Sequence, residues 1–239
     1  MLPTKTATNK YGNEFQYVVG VKDPSNIEGG YLLELDNGYY AAEKCWFTAI
    51  WPGDGAVTHF VLKSPEYASK NAVAFISEAI QGALDNLYAD KLADGSALSD
   101  GSFAFDLDSF AKMYLLEEFL KNNDTYTSST YFYLDKDSKV VQSGPVWDFD
   151  AGMGTRIDAH DSIQSSYWGY YLTLHNTIMS NQVKKRIQEL YEDTFRDLVQ
   201  KVVLGDVNAV GPAGKLHSIS SYAKTIAASQ RMNEVPFGV

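Results

Sequence analysis

Between residues 107 and 154 the chain changes hydrophobic period repeatedly, and each change narrows what it can fold into. Leu107, Phe110, Ala111, Tyr114 and Leu115 follow the i, i+3, i+4, i+7, i+8 spacing of one buried helical face. That helix starts near Asp106 or Asp108 and stops at Lys121-Asn122-Asn123, with Asp124 immediately after it. Residues 130–134 and 140–141 read as strands flanking Asp135-Lys136-Asp137-Ser138, a pattern that suits a hairpin. Trp147-Asp148-Phe149-Asp150 comes next, followed by two close glycines, Gly152 and Gly154. Helix and ribbon must share a core, so the expected class is α+β in one mixed domain.

The flanking sequence fills in that domain. Residues 1–26 are polar and rich in Thr, Asn, Lys and Gly, and read as a poorly packed leader with one strand at 15–21. Gly29-Gly30 opens a strand that runs through Tyr31-Leu32-Leu33-Glu34-Leu35-Asp36. A second strand covers 46–50, and Pro52-Gly53-Asp54-Gly55 makes a turn. A third covers 59–63, with His59, Val61 and Lys63 on one face and Phe60 and Leu62 on the other. Ser64-Pro65-Glu66 reads as a helix start, with a hydroxyl cap, a first-position proline and an acid in the first turn. That helix is expected to reach about Leu92, with a loop over 93–102. Further on, 158–166 is a polar loop, 181–203 a long helix and 215–232 a last helix. The expected organisation is a single domain over 27–239. Its C-terminal half is helix-rich, and its sheet is small and antiparallel.

Totals exclude several function classes. With 239 residues, 45% of them hydrophobic, the chain can bury a substantial core. Its formal charge of −10 opposes nucleic acid and anionic membrane, and favours metal cations or basic peptides. No apolar run approaches the roughly 18–20 residues that span a bilayer. The N-terminal residues lack the apolar core of a signal peptide. Cys45 is the one cysteine, so no internal disulfide and no cysteine metal cluster can form, and its apolar neighbours point to a buried, inert thiol. His59, His160, His175 and His217 show no zinc-ligand spacing, and no nucleophile elbow is present.

The acids carry the chemistry. In an extended segment Asp148 and Asp150 share one face, while Trp147 and Phe149 anchor the other in the core. Two hard carboxylates on one face suit a divalent ion, although an amphipathic strand with two solvated acids has the same pattern. Asp124, held between helix and hairpin, could orient a hydroxyl and accept its proton. Protein kinases order a catalytic aspartate, a short hairpin and a metal-holding aspartate in this way. Ser129 stands where kinases usually carry a metal-binding asparagine, and a turn or capping role suits it equally.

These pieces together resemble the CotH-type kinase family, named for a spore coat protein. The resemblance rests on the Gly29-to-Asp36 strand, on Lys63-Ser64-Pro65-Glu66, and on Phe105-Asp106-Leu107-Asp108-Ser109-Phe110 leading to Asn123-Asp124. Ser129-Thr130-Tyr131-Phe132-Tyr133, Gly144-Pro145-Val146-Trp147-Asp148-Phe149-Asp150 and Ser229-Gln230-Arg231-Met232-Asn233 extend it. It implies an atypical protein-kinase-like fold that transfers phosphate from ATP to protein serines with Mg²⁺ or Mn²⁺. It implies a spore-coat or secreted address. By position Asp124 takes the catalytic role, and Asp148, with Asp150 and Ser129, takes the metal. Lys22, Lys44 and Lys63 are the candidate phosphate contacts; no motif singles one out, and Lys63 is taken as the cofactor-binding residue. The family's nucleotide-clamping N-terminal part is expected to be missing, leaving the catalytic half. The other reading is a non-catalytic surface or coat-assembly module, with Tyr167-Trp168 and Tyr170-Tyr171 as a contact face or as core.

Overall fold

The structure, a computed structural model, describes residues 2–120, 122, 124, 127–150, 152, 181–204, 210–211, 214–215 and 227. Two compact units divide the chain, 1–187 and 188–239.

The first unit is built on one eight-stranded sheet. Its strands are β1 (Thr4–Thr8), β2 (Glu14–Val18), β3 (Tyr31–Leu35), β4 (Trp46–Ile50), β5 (Val57–Ser64), β6 (Ala104–Phe105), β7 (Thr130–Leu134) and β8 (Val140–Ser143). Their spatial order is β1-β2-β4-β5-β3-β7-β8-β6, antiparallel throughout except for the parallel pair of β6 and β8. The sheet is therefore large and mixed, not small and antiparallel as the sequence suggested. Two segments account for the difference. Residues 4–18, expected in a poorly packed leader, form two paired strands, and Phe15 and Val18 are fully buried. β6 has two residues, too few to show any period.

Alternation along the strands divides the sheet into two faces. Phe15, Phe47, Phe60, Leu62, Leu33, Leu35 and Phe132 are buried on one face. Helix α1 (Lys70–Tyr88) packs on it, burying Val73, Ile76, Ile80, Ala83, Leu84 and Leu87 at helical spacing. This helix does not start at Ser64, which is the last residue of β5. Its cap is Ser69, whose hydroxyl oxygen accepts the Ala72 N–H at 3.2 Å. The same hydroxyl donates to Asp23 at 2.5 Å. Buried Gln81 has its polar atoms satisfied by Asn13 and by both backbone groups of Ile50, which fixes the helix to the end of β4.

Helix α2 (Leu107–Leu120) falls where the sequence put it, with the Asp106 carboxylate accepting the Ser109 N–H at 2.8 Å as its cap. The hairpin of β7 and β8 is likewise as expected. Gly29 explains why the preceding strand opens on glycine. Its φ is +109°, and a Cβ there would sit 2.1 Å from the Asp135 carbonyl oxygen. Helix α3 (Asn181–Leu190) begins in this unit, where Val183 is fully buried and Arg186 pairs with Asp108 on α2.

The second unit contains the rest of that helical run, a π-type turn over Tyr191–Phe195 and α4 (Arg196–Leu204), then a two-stranded pair, β9 (Val210–Gly211) and β10 (Gly214–Lys215). The described residues beyond 120 thus combine a hairpin, one long helical run and a short ribbon, and do not support a helix-rich half. Lys215 lies in β10, and Ala227 is the one described residue in the remainder of the expected last helix. The tyrosine-rich stretch at 167–171, the 158–166 loop, His160, His175, His217 and the Ser229–Asn233 piece lie outside the described residues.

Candidate active site

The sheet's second face carries the polar residues. Lys63 of β5 projects from it, near a β-bulge between Leu32 and Leu33 that shifts the register of β3 against β5. Its ammonium pairs with Glu34 of β3 and with Glu43, each at 3.1 Å. Burial works to lower the Lys63 pKa, but the hydrogen bonds and charges of the two glutamates outweigh it and hold it above the usual lysine range. Glu34 is buried and lies directly across from Tyr131 in the β3–β7 register. Burial first, then the Glu34 charge, pushes the Tyr131 pKa up to about 12, so the phenol stays protonated.

Tyr131 also touches the acidic segment. Its ring lies 6.0 Å from that of Trp147, tilted by 59°. Its carbonyl accepts the Gly144 N–H at 2.9 Å, at the start of that segment. Two residues upstream, the Ser129 hydroxyl donates to Asp148 at 3.1 Å. Ser129 and Asp148 both hold left-handed backbone, with φ of 55° and 56°. Only four non-glycine residues among those described do so, and two of them meet here. Strained backbone of this kind persists where surrounding structure over-determines it, commonly at functional sites.

The expected alternation of the Trp-Asp-Phe-Asp segment is overturned. Residues 144–149 form no strand, Trp147 is 58% exposed and Phe149 only half-buried. The left-handed residue at Asp148 breaks the period, so the aromatics do not anchor the segment in the core. The two carboxylates nonetheless meet. Asp150 lies within hydrogen-bonding contact of Asp148 and, with burial and the Asp150 and Asp124 charges, raises the Asp148 pKa against the pull of Ser129. Asp124 sits in the turn after α2, its carbonyl accepting from the Thr127 and Ser128 N–H groups and the Thr127 hydroxyl. The Thr127 carbonyl in turn accepts the Asn37 N–H at 2.8 Å, which ties this loop to the end of β3.

The structure thus brings Ser129, Asp148 and Asp150 together, with Asp124 near enough for its charge to act on Asp148, and it sets Tyr131 between Trp147 and Glu34, the partner of Lys63. Of the other candidate lysines, Lys22 instead lines a separate cavity of about 320 Å³ with Pro24, Tyr31 and Tyr67. Sequence reasoning missed Glu34, Glu43 and Tyr131 as site residues. Face assignment put Lys63 on the polar side of β5, but only the strand register reveals which acids face it.

Among the described residues no group of three His, Cys, Asp or Glu side chains is arranged to hold a metal. The Asp148–Asp150 pair with the Ser129 hydroxyl still fits Mg²⁺ or Mn²⁺. Mg²⁺ retains several waters and takes only one or two protein carboxylates beside substrate phosphates. The mutual repulsion that raises Asp148 is what a cation there would relieve.

The profile of the CotH kinase protein family matches residues 57–207, well over half of the chain. This chain belongs to the CotH kinase family. The matched span includes Lys63, Asp124, Ser129, Tyr131, Asp148 and Asp150, and leaves out Glu34 and Glu43. No curated protein and no solved structure matches the chain. CotH membership and an α+β fold on an eight-stranded mixed sheet therefore stand together. The described residues contain no helix long and apolar enough to cross a membrane.

Proposed function

We propose that this CotH-family chain is an atypical kinase that transfers phosphate from ATP to serine hydroxyls of a protein substrate, with Mg²⁺ or Mn²⁺. The observation that carries the reading is that β7 sets Tyr131 opposite Glu34, the partner of Lys63, and against Trp147, the residue before Asp148, with Ser129 and Asp150 at that carboxylate. On this reading the sheet with α1 on one face forms the nucleotide side of a kinase-like fold. Asp148, Asp150 and the Ser129 hydroxyl hold the divalent ion. Lys63 offers its ammonium to phosphate oxygens while Glu34 fixes its position. Asp124 orients the acceptor hydroxyl and takes its proton. ATP supplies the phosphoryl group. The chain's formal charge of −10 favours a basic substrate segment, and the family's name suggests a spore-coat or surface address.

The test is transfer of labelled phosphate onto a serine-containing basic peptide with Mn²⁺, comparing the protein with Asp124→Asn and Asp148→Asn. Loss in both variants supports the assignment. Transfer undiminished in either rejects that residue's role. A folded protein that transfers nothing yet binds the peptide favours the coat-assembly reading.

A further inference from the structure

We propose that Asn37 is a positioning residue for Asp124, holding the turn that carries it against the ends of β3 and β5. The inference rests on the reading of Asp124 as the base, and it assigns a task to a side chain that reading leaves unused.

Strand β3 lies between β5 and β7, and its paired residues end at Leu35, opposite Phe60 on one side and Thr130 on the other. Asn37 reaches both sides from beyond that end. Its side-chain oxygen accepts the His59 backbone N–H at 2.9 Å and the Thr58 hydroxyl at 3.3 Å, and the His59 Nδ1 lies 3.2 Å from it. Its backbone N–H donates the other way, to the Thr127 carbonyl at 2.8 Å. The Asp36 carboxylate accepts the Gly38 and Tyr39 N–H groups, each at 2.9 Å, and so fixes the turn in which Asn37 sits.

Thr127 passes the constraint on. Its N–H and its hydroxyl both donate to the Asp124 carbonyl, at 3.0 and 2.8 Å, and the Ser128 N–H adds a third bond at 2.9 Å. The Asp124 N–H donates to the Asn122 side-chain oxygen at 3.3 Å. The backbone of Asp124 is thus held by its own turn, and Asn37 holds that turn to the sheet. A base works only within hydrogen-bonding reach of the proton it takes, so a small displacement of its backbone slows the transfer step. None of these Asn37 bonds goes to Lys63, Ser129, Asp148 or Asp150, so loosening them separates the acceptor side of the site from the metal and nucleotide side.

The experiment measures steady-state phosphate transfer to a serine-containing basic peptide with Mn²⁺, and amide hydrogen exchange on the same proteins without nucleotide. Asn37→Ala is expected to lower kcat roughly threefold to tenfold, the scale of one lost hydrogen bond. It should leave KM for ATP within about twofold, the scatter of a surface change that touches nothing at that side. The Thr127 and Ser128 amides, which close the turn onto Asp124, should exchange faster. Asn37→Asp keeps the oxygen that accepts from Thr58 and His59, and should restore most of the kcat and the slower exchange. A merely structural side chain would lower the melting temperature and leave kcat per folded molecule and these two amides unchanged. The positioning role is overturned if the wild type transfers phosphate and Asn37→Ala matches its kcat, if Asn37→Asp is as impaired as Asn37→Ala, or if kcat falls with no change in exchange at Thr127 and Ser128. A wild type that transfers no phosphate overturns the reading of Asp124 as the base, and the task of Asn37 with it.

Discussion

Replacing Asp148 by asparagine should stabilise the metal-free protein, whereas replacing it by alanine should destabilise it. Asp148 sits beside Asp150 and feels the charge of Asp124, and its raised pKa means the folded state resists its ionisation. A group of that sign contributes its stability in full below its unfolded pKa and loses it as pH rises through the folded one, so the charge is a burden at neutral pH. Both groups are exposed, so solvent screens the repulsion to about 0.2–1 kcal/mol. Asparagine removes the charge, keeps an acceptor for Ser129 and tolerates the 56° φ almost as well as aspartate does. For a unit of this size each kcal/mol moves the melting temperature by roughly 2–4 °C, so Asp148→Asn should gain roughly 0.4–4 °C in the presence of a chelator. Alanine relieves the same repulsion. It adds about 1 kcal/mol for a β-carbon in left-handed backbone and loses the Ser129 hydrogen bond, worth about 0.5 kcal/mol at this exposure. Its net effect should be a fall of roughly 1–5 °C. Thermal unfolding in 0.1 M and 1 M NaCl separates the contributions, because salt shrinks the asparagine gain and leaves the backbone cost. If asparagine destabilises as much as alanine, the reasoning fails, and the two carboxylates do not repel one another in the folded protein.

Other consequences can be checked on the same protein. Gly29→Ala should cost more than about 2 kcal/mol by chemical denaturation, because its Cβ would collide with the Asp135 carbonyl at a φ of +109°. Gly30→Ala, with open space around its φ of +80°, should cost less. Burial lowers the His59 pKa against the charges of Asp36 and Glu14. Its contribution is therefore present above about pH 6.5 and falls as pH drops through the folded value, and His59→Gln should flatten the decline of the urea midpoint between about pH 7 and 5. Asp108 is held below the usual carboxylate range by Lys112 first and Arg186 second, opposed by burial. Arg186→Ala should move its NMR-detected pKa upward and cost roughly 0.5–1 kcal/mol, less in high salt.

The sequence revealed elements wherever period and burial coincided. β7 falls on the expected residues because it alternates cleanly between buried and half-buried positions, β4 because its short apolar run ends before the Pro52-Gly53-Asp54-Gly55 turn, and α2 because its apolar face is regular and Asp106 caps it. The first helix shows the limit of a local signal. Ser64-Pro65-Glu66 has the composition of a helix start, but Ser64 is committed to the β5 ladder and Ser69 supplies the cap. The leader was misread because the strand Thr4–Thr8 is mostly polar and exposed, as an edge strand can be, and shows no apolar alternation. At the site the acids were legible but their geometry was not. Asp148 and Asp150 meet through a left-handed residue that no alternation rule anticipates, although aspartate is among the few types that tolerate it. Glu34 and Tyr131 stand 97 positions apart in the chain and face each other through the β3–β7 register, a non-local pairing that one sequence does not encode legibly.

The central claim is that Lys63 and the Asp148 group form one metal–nucleotide site. The most direct measurement is Mn²⁺ binding followed by electron paramagnetic resonance, with and without ATP, in the wild type, Asp148→Asn and Lys63→Met. A single site predicts that ATP tightens Mn²⁺ retention in the wild type, and that Mn²⁺ tightens ATP binding by the same factor, since coupling between two ligands is reciprocal. Asp148→Asn should lose Mn²⁺ in both conditions, and Lys63→Met should keep Mn²⁺ but lose the enhancement by ATP. Mn²⁺ retention that ignores ATP in the wild type, or that survives Asp148→Asn unchanged, would contradict the account.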